Sequence, residues 1–121
     1  MYNSIVLKTD GTIKVIARDD YQFTLEELYE LTSCDTIQIL RSSVPGLLLC
    51  IDDNGKILDK PINPLGTVLY APQYDYIVGD VLIGTDFSPN PNDEPDIYAL
   101  DEDAAAKIVE YLKAISQVCG G

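Results

Sequence analysis

Aromatic and polar side chains gather in one short stretch of this chain, and they are its first candidates for chemistry. Residues 70–76 hold three tyrosines, a glutamine and an aspartate, and they follow an Asn-Pro turn. A tyrosine ring can stack on a base while its hydroxyl forms a hydrogen bond, so this stretch could hold a ligand. Alternation along a strand, with one set of tyrosines in the core, is the open alternative. The residues predicted to bind a ligand are Arg41, Asn63, Thr67, Tyr70, Gln73, Tyr74, Asp75 and Tyr76.

The charge of the chain limits what that ligand can be. Twenty acidic residues stand against eight basic ones, which gives a net charge of −12. Because phosphate contacts require lysine and arginine, this balance excludes a general grip on nucleic acid. Arg41 is the best candidate base for an anionic ligand, since a guanidinium binds phosphate in a bidentate manner, and Lys56 and Lys60 are the other bases considered. Seven of the twenty acids lie between Asp86 and Asp103 with no base among them.

The residue types that most enzymes need are missing. The chain has no histidine, the commonest general base, and it has no Gly-rich phosphate loop and no serine hydrolase or metalloprotease motif. The carboxylate pairs at 19–20 and 52–53 lie beside predicted turns, where aspartate bonds its own backbone or faces water. Residues 50–55 resemble a calcium loop, but Cys50 would occupy the first ligand position. We therefore expect a non-enzymatic protein with no metal and no cofactor.

Length and cysteine usage indicate the broad class. A chain of 121 residues can form one domain and bury a core without staples. Its three cysteines are an odd and widely spaced set, which argues against disulfides and for a reducing compartment; Cys34 and Cys50 are predicted to be buried. We find no long apolar run and no charged leader, so we expect no membrane span, no signal peptide and a cytoplasmic location.

The first half of the chain reads as strands around one helix. Asp-Gly between two β-rich runs predicts a hairpin over 2–17, and Thr24 and Glu27 have the spacing of a capping box at the start of a helix of about two turns. Strands are predicted over 36–40 and 47–51, the second buried on both faces because it is apolar throughout. The Asn-Gly pair that follows predicts a turn with positive φ and a short return strand over 56–58.

The second half of the chain adds two more helices. Asn63 is predicted to cap a proline-led helix over 64–69. After this helix we predict one strand over 74–85, or two strands broken at Gly79-Asp80. Prolines, asparagines and acids predict a loop over 86–100, and the last segment, 101–119, is a C-terminal helix with one apolar face. The predicted fold class is α+β, a mostly antiparallel β-sheet with a short helix, an Asn-Pro turn helix and a C-terminal amphipathic helix, in a single domain of residues 1–121.

The motifs between residues 47 and 85 resemble a small uncharacterised family, domain of unknown function 3846. The resemblance covers about residues 1–85, and residues 86–121 look like an extension of that family core. Such proteins are typically encoded by phages and mobile elements, so the resemblance implies an accessory protein in the host bacterial cytosol. The segments that carry it are 52–58 (DDNGKIL), 61–64 (PINP), 75–80 (DYIVGD) and 83–85 (IGT).

Small accessory proteins of mobile elements often counter host defence, and three hypotheses for the function of this chain are open. The first is sequestration of a small nucleotide-derived signal in a pocket near the tyrosines. The second is an acidic inhibitor that binds a host defence effector or nuclease, and the third, least favoured, is a carboxylate-based hydrolase. We expect no nucleic-acid partner and no membrane partner, while homo-oligomerisation through the C-terminal helix is possible.

Overall fold

A computed structural model describes residues 1–70, 75–94 and 96–119. Six strands and three helices occur in these residues, and they confirm the predicted α+β class. The strands are β1 (Tyr2–Leu7), β2 (Ile13–Arg18), β3 (Ile37–Arg41), β4 (Leu47–Asp52), β5 (Val81–Thr85) and β6 (Leu100–Asp101). The helices are α1 (Leu25–Thr32), α2 (Pro64–Tyr70) and α3 (Glu102–Cys119). None of these helices combines the length and apolar character needed to cross a membrane.

The strands form one antiparallel sheet in the order β2-β1-β5-β4-β3, and the short β6 pairs with β1. The chain therefore begins in the middle of the sheet, and its first hairpin extends outward to β2. The second hairpin, β3 and β4, docks on β5 from the other side. This order leaves β2 and β3 as the two outer strands.

Both faces of the sheet are covered, so the domain has two apolar layers. Leu49 and Ile51 of β4 pack with residues of α2 and α3 on one face, and we call this the α3 face. Leu48 and Cys50 point the other way and pack with Leu28 of α1, on the α1 face. All six residues of β4 are buried, which confirms the prediction that its continuous apolar run is a central strand.

Helix α1 begins at the predicted capping box. The Glu27 N–H donates to Thr24 Oγ1 at 3.1 Å, and the Thr24 N–H donates to Glu27 Oε1 at 3.0 Å. Arg18 of β2 adds an ion pair to Glu27 at 2.9 Å, which ties the start of the helix to the edge of the sheet. The hydrogen bond from Arg18, and then the one from the Thr24 backbone, hold the pKa of Glu27 below its ordinary value.

That lowered pKa predicts a pH-dependent contribution of Glu27 to stability. A carboxyl with a depressed folded-state pKa stabilises the fold above its unfolded pKa of about 4.3, and the contribution is lost as the pH falls through the folded pKa. The E27Q variant keeps the cap but lacks the charge, so we expect it to be less stable than the wild type at pH 7, by up to about 1 kcal/mol for this half-exposed pair. Urea unfolding from pH 7 down to acid should show the gap closing; a gap that is constant with pH would contradict the assignment.

Cys50 is buried as predicted, whereas Cys34 is only half-buried at the end of α1. Burial raises the pKa of the Cys50 thiol to about 12. Because the thiolate is the reactive form, we expect Cys50 to resist iodoacetamide in the folded protein at pH 8 and to react once the chain is unfolded in urea. Mass spectrometry of the peptide that contains Cys50 measures this, and rapid alkylation of the folded protein would contradict the burial.

The segment after β4 corrects two predictions. Residues 56–58 do not form a return strand, because the Leu58 N–H donates to the Asn54 carbonyl at 3.0 Å and the chain turns helically instead. Nor does Gly55 have a positive φ; in this turn that conformation belongs to Asp59, at 55°. Gly55 is needed for space instead, since a Cβ there would lie 2.7 Å from Val78 Cγ2.

The predicted strand over 74–85 and the predicted loop over 86–100 also change. Within the described part of the first segment only Val81–Thr85 is a strand, and the break falls at Gly79, whose φ is 77°, as predicted. The loop ends earlier than predicted, because residues 97–100 are buried and Tyr98 forms a two-way backbone bridge with Thr85 at 2.8 Å. The C-terminal helix follows at once, with the Ala104 N–H bonded to Oδ1 of Asp101, its predicted cap.

Candidate functional site

The predicted tyrosine site is present in part. Tyr70 at the end of α2 and Tyr76 in the next segment border a small depression of about 140 Å³ on the α3 face, beside β3 and β4. We call it the tyrosine depression, and Asp75 and Lys56 also line it. It brings together three of the eight predicted ligand residues: Tyr70, Asp75 and Tyr76.

The lysine of this depression is already engaged. Lys56 Nζ donates to Oδ1 of Asp75 and lies 4.4 Å from the centroid of the Tyr76 ring. The hydrogen bond between the two side chains raises the pKa of Lys56 and lowers the pKa of Asp75. An anionic ligand would therefore have to displace a carboxylate before it could use this cation.

Two of the predicted ligand residues hold the fold together instead. Asn63 is fully buried and does not line the tyrosine depression; its side chain caps α2 by accepting a hydrogen bond from the Gly66 N–H at 3.0 Å. Thr67 Oγ1 accepts a hydrogen bond from the Ile77 N–H at 2.9 Å, which fastens α2 to the segment after it. The predicted residues Gln73 and Tyr74 lie outside the described residues.

Arg41 does not join the tyrosines. Alternate side chains of a strand point to opposite faces, and Gln38 borders the tyrosine depression while Arg41 lies on the α1 face. There its guanidinium is 3.1 Å from Oδ2 of Asp86, and the Arg41 side chain is 75% exposed. The structure therefore places Arg41 away from Tyr70 and Tyr76.

A larger open depression of about 630 Å³ lies where Arg41 does point, between β3, β4 and the segment after β5. Four carboxylates rim it, and its apolar floor includes Leu48 and the 39% exposed Ile39. Among the described residues that line it, Arg41 is the single cation. We call this depression the acidic basin; its rim carboxylates are Asp86, Asp93, Glu94 and Asp96.

Hydrogen bonds and a pair of packed tyrosines shape the rim of the acidic basin. Asp93 accepts hydrogen bonds from the Tyr21 hydroxyl, at 2.8 Å, and from the Ser88 hydroxyl. The Tyr98 hydroxyl donates to the Glu94 carbonyl, and the Tyr21 and Tyr98 ring centroids lie 5.9 Å apart. The loop therefore holds the Asp93 carboxylate and the Glu94 backbone in place despite its loop-like composition.

The negative potential of the rim acts on these tyrosines. The hydrogen bond to Asp93 raises the pKa of Tyr21, and burial followed by the charge of Asp93 raises the pKa of Tyr98. Neither Tyr21 nor Tyr98 was among the residues predicted to bind a ligand. The available signal for Tyr98 was the short apolar run at 97–100, directly after the acids.

Comparison with known families decides the membership of the chain. The sequence model described as Domain of unknown function (DUF3846) matches residues 2–113. The chain belongs to this family. The match confirms the resemblance and runs beyond residue 85 into α3, so it includes most of the segment that looked like an extension. No curated protein and no solved structure matches the chain.

The cations of this DUF3846 protein are mostly neutralised by its own acids. Five of its eight lysines and arginines form ion pairs within the described residues. The other three, Lys14, Lys107 and Lys113, lie on β2 and α3 and line neither depression. Among the residues that the structure describes, no group of three metal-binding side chains converges. The DUF3846 domain thus presents an acidic, partly apolar surface as its main exposed chemistry.

Proposed function

We propose that this chain is a non-enzymatic accessory protein of a phage or mobile element that binds a basic surface of a host defence effector and occludes it. The mobile-element setting rests on the family resemblance. The mode of action rests on the acidic basin, where four carboxylates face one cation that already pairs with Asp86. A rim of ordered charge around an apolar floor suits a protein partner, because charge directs the encounter and apolar contacts add affinity.

The same observations weigh against a phosphate-bearing ligand, which was the first hypothesis. The tyrosine depression supports that hypothesis through Tyr70 and Tyr76, but its lysine is paired with Asp75. Around a chain of net charge −12, an anion also meets long-range repulsion. Sequestration of a nucleotide-derived signal stays a prediction, and calorimetry with cyclic nucleotides and ADP-ribose derivatives would establish it by saturable binding.

Affinity capture with matched variants tests the proposal. One variant, the basin variant, neutralises the four rim carboxylates of the acidic basin. The other, the outer variant, removes the same number of negative charges from exposed carboxylates that have no ion pair among the described residues and line no part of the basin. The basin variant is D86N/D93N/E94Q/D96N. The outer variant is D19N/E26Q/E30Q/E110Q.

Each protein is immobilised and exposed to nuclease-treated bacterial lysate, so that nucleic acid cannot bridge. We expect the wild type and the outer variant to retain the same basic protein, and the basin variant to lose it. Raising the salt to about 1 M should release the partner, since the Debye length falls to about 3 Å. Capture of no basic protein by the wild type, or equal capture by all three chains, would refute the proposal.

A further inference from the structure

The outer edge of β3 carries backbone N–H and C=O groups that pair with none of the described residues. In the β3–β4 ladder the Asp53 N–H donates to the Thr36 carbonyl and the Ser42 N–H donates to the Leu47 carbonyl, both at 3.0 Å. Hydrogen-bonded pairs alternate along an antiparallel ladder, so the backbone groups of every second residue of β3 face away from β4. No hydrogen bond among the described residues uses these outward groups. The outward residues are Ile37, Ile39 and Arg41.

This edge also lacks the features that usually protect one. Natural edge strands carry charges, proline or bulges that discourage pairing with another chain. The other outer strand, β2, carries Lys14 and Arg18. The corresponding run of β3, Ile-Gln-Ile-Leu, is uncharged until Arg41 at its end, and Ile39 is 39% exposed.

Both depressions of the molecule flank this one edge. Ile39 and Arg41 of β3 border the acidic basin on the α1 face, and Gln38 and Leu40 border the tyrosine depression on the α3 face. A strand laid along β3 would send alternate side chains to the two faces. On one face they would meet the four rim carboxylates of the acidic basin, and on the other they would meet the tyrosines beside the Lys56–Asp75 ion pair.

We propose that an extended, lysine- or arginine-bearing segment of the partner adds to the outer edge of β3 as a further strand of the sheet. The proposal rests on the proposed function and specifies how the basic partner is held. Main-chain hydrogen bonds to the outward groups of β3 supply affinity, and the rim carboxylates of the acidic basin select basic side chains. A second copy of this chain fits the edge less well, because two chains of net charge −12 repel.

A synthetic peptide tests the strand addition on the wild-type protein. The probe alternates lysine and valine over about seven residues, enough to span β3, and its control has the same sequence with N-methylated backbone. We expect saturable binding of the probe by calorimetry, binding about tenfold weaker for the control, and slowed amide exchange at Ile37, Ile39 and Arg41 in the complex. Equal binding of both peptides, or no slowing of exchange at these amides, would overturn the proposal.

A pair of substitutions at Ile39 gives an independent check. Proline there removes an outward N–H and adds a ring at the edge, yet Ile39 lies opposite Cys50 at a position that exchanges no hydrogen bond with β4. We expect I39P to bind the probe about tenfold more weakly than I39A, because both variants lose the apolar contact of Ile39 with the basin and only I39A keeps the N–H. Equal binding by I39P and I39A would overturn the proposal; if I39P does not fold, the N-methylated control on the wild type decides.

The outcomes separate this inference from the proposed function. If lysate capture yields a basic partner that depends on the acidic basin, but partner and probe both leave the β3 amides exchanging freely, strand addition fails while the proposed function stands. If no basic partner is captured, the proposed function fails. A light-scattering mass of a dimer, with the same amides slow to exchange in the free protein, would show that a second copy fills the edge and would overturn the inference.

Discussion

Replacing Asn63 by alanine is expected to lower the free energy of unfolding by about 3–5 kcal/mol. The Asn63 amide donates to the carbonyls of Leu7, at 2.8 Å, and Gly79, at 2.9 Å, and its carbonyl caps α2 through the Gly66 N–H. The side chain thus joins the end of β1, the turn before β5 and the start of α2. Alanine would remove one hydrogen bond from each of these three buried groups.

Two further variants make this prediction specific. N63D keeps the capping oxygen but directs a carboxylate at two carbonyls, so we expect it to be destabilised at neutral pH at least as strongly as N63A. Asn92 is exposed, and N92A should change stability by less than about 0.5 kcal/mol. Urea unfolding of the three variants measures these differences; an N63A loss no larger than that of N92A would contradict the role assigned to the Asn63 amide.

Replacing Gly84 by alanine is expected to destabilise the protein by about 3 kcal/mol, at the upper end of ordinary overpacking. Gly84 lies within β5, and a Cβ there would be 2.5 Å from Ile97 Cγ1 and 2.7 Å from the Tyr98 carbonyl oxygen. The second contact is with backbone, so no rotamer change can relieve it. The 97–98 segment would have to move off the sheet, and the bridge between Thr85 and Tyr98 would weaken.

A double-mutant cycle with Ile97 tests this close approach. I97A removes the side-chain contacts but leaves the Tyr98 carbonyl, so G84A should destabilise the I97A background less than the wild type without becoming neutral. Amide exchange at Thr85 and Tyr98 should quicken in G84A. If G84A is as stable as the wild type and its Thr85 and Tyr98 amides exchange at the wild-type rate, the segment does not pack on β5 as described.

Local signals in the sequence predicted most of the elements. The capping box at Thr24 and the Asn-Pro start of α2 are short-range chemistry, so they act wherever the chain places them. The Asn-Gly pair failed as a hairpin signal because position 55 is a glycine for another reason. Val78, which is distant in sequence, lies too close for a Cβ at that position. The following residues Ile57 and Leu58 are exposed and find no strand partner.

The site was harder to predict because it depends on the register of one strand. A shift of one residue moves a side chain to the other face of a sheet, and that difference separates Gln38, at the tyrosine depression, from Arg41, at the acidic basin. The acids of the 86–96 segment were visible in the sequence. Their support by Tyr21, from a segment far away in the chain, was not.

Titration calorimetry with the purified basic partner tests the central claim, that the acidic basin binds a protein, most directly. At about 0.15 M salt, where long-range charge effects are largely screened, the account predicts that the basin variant binds about tenfold more weakly than the wild type, since each lost charge pair contributes up to about 1 kcal/mol. The outer variant, with the same net charge, should bind within about threefold of the wild type. Equal weakening of both variants would assign binding to net charge alone and would contradict a site at the acidic basin.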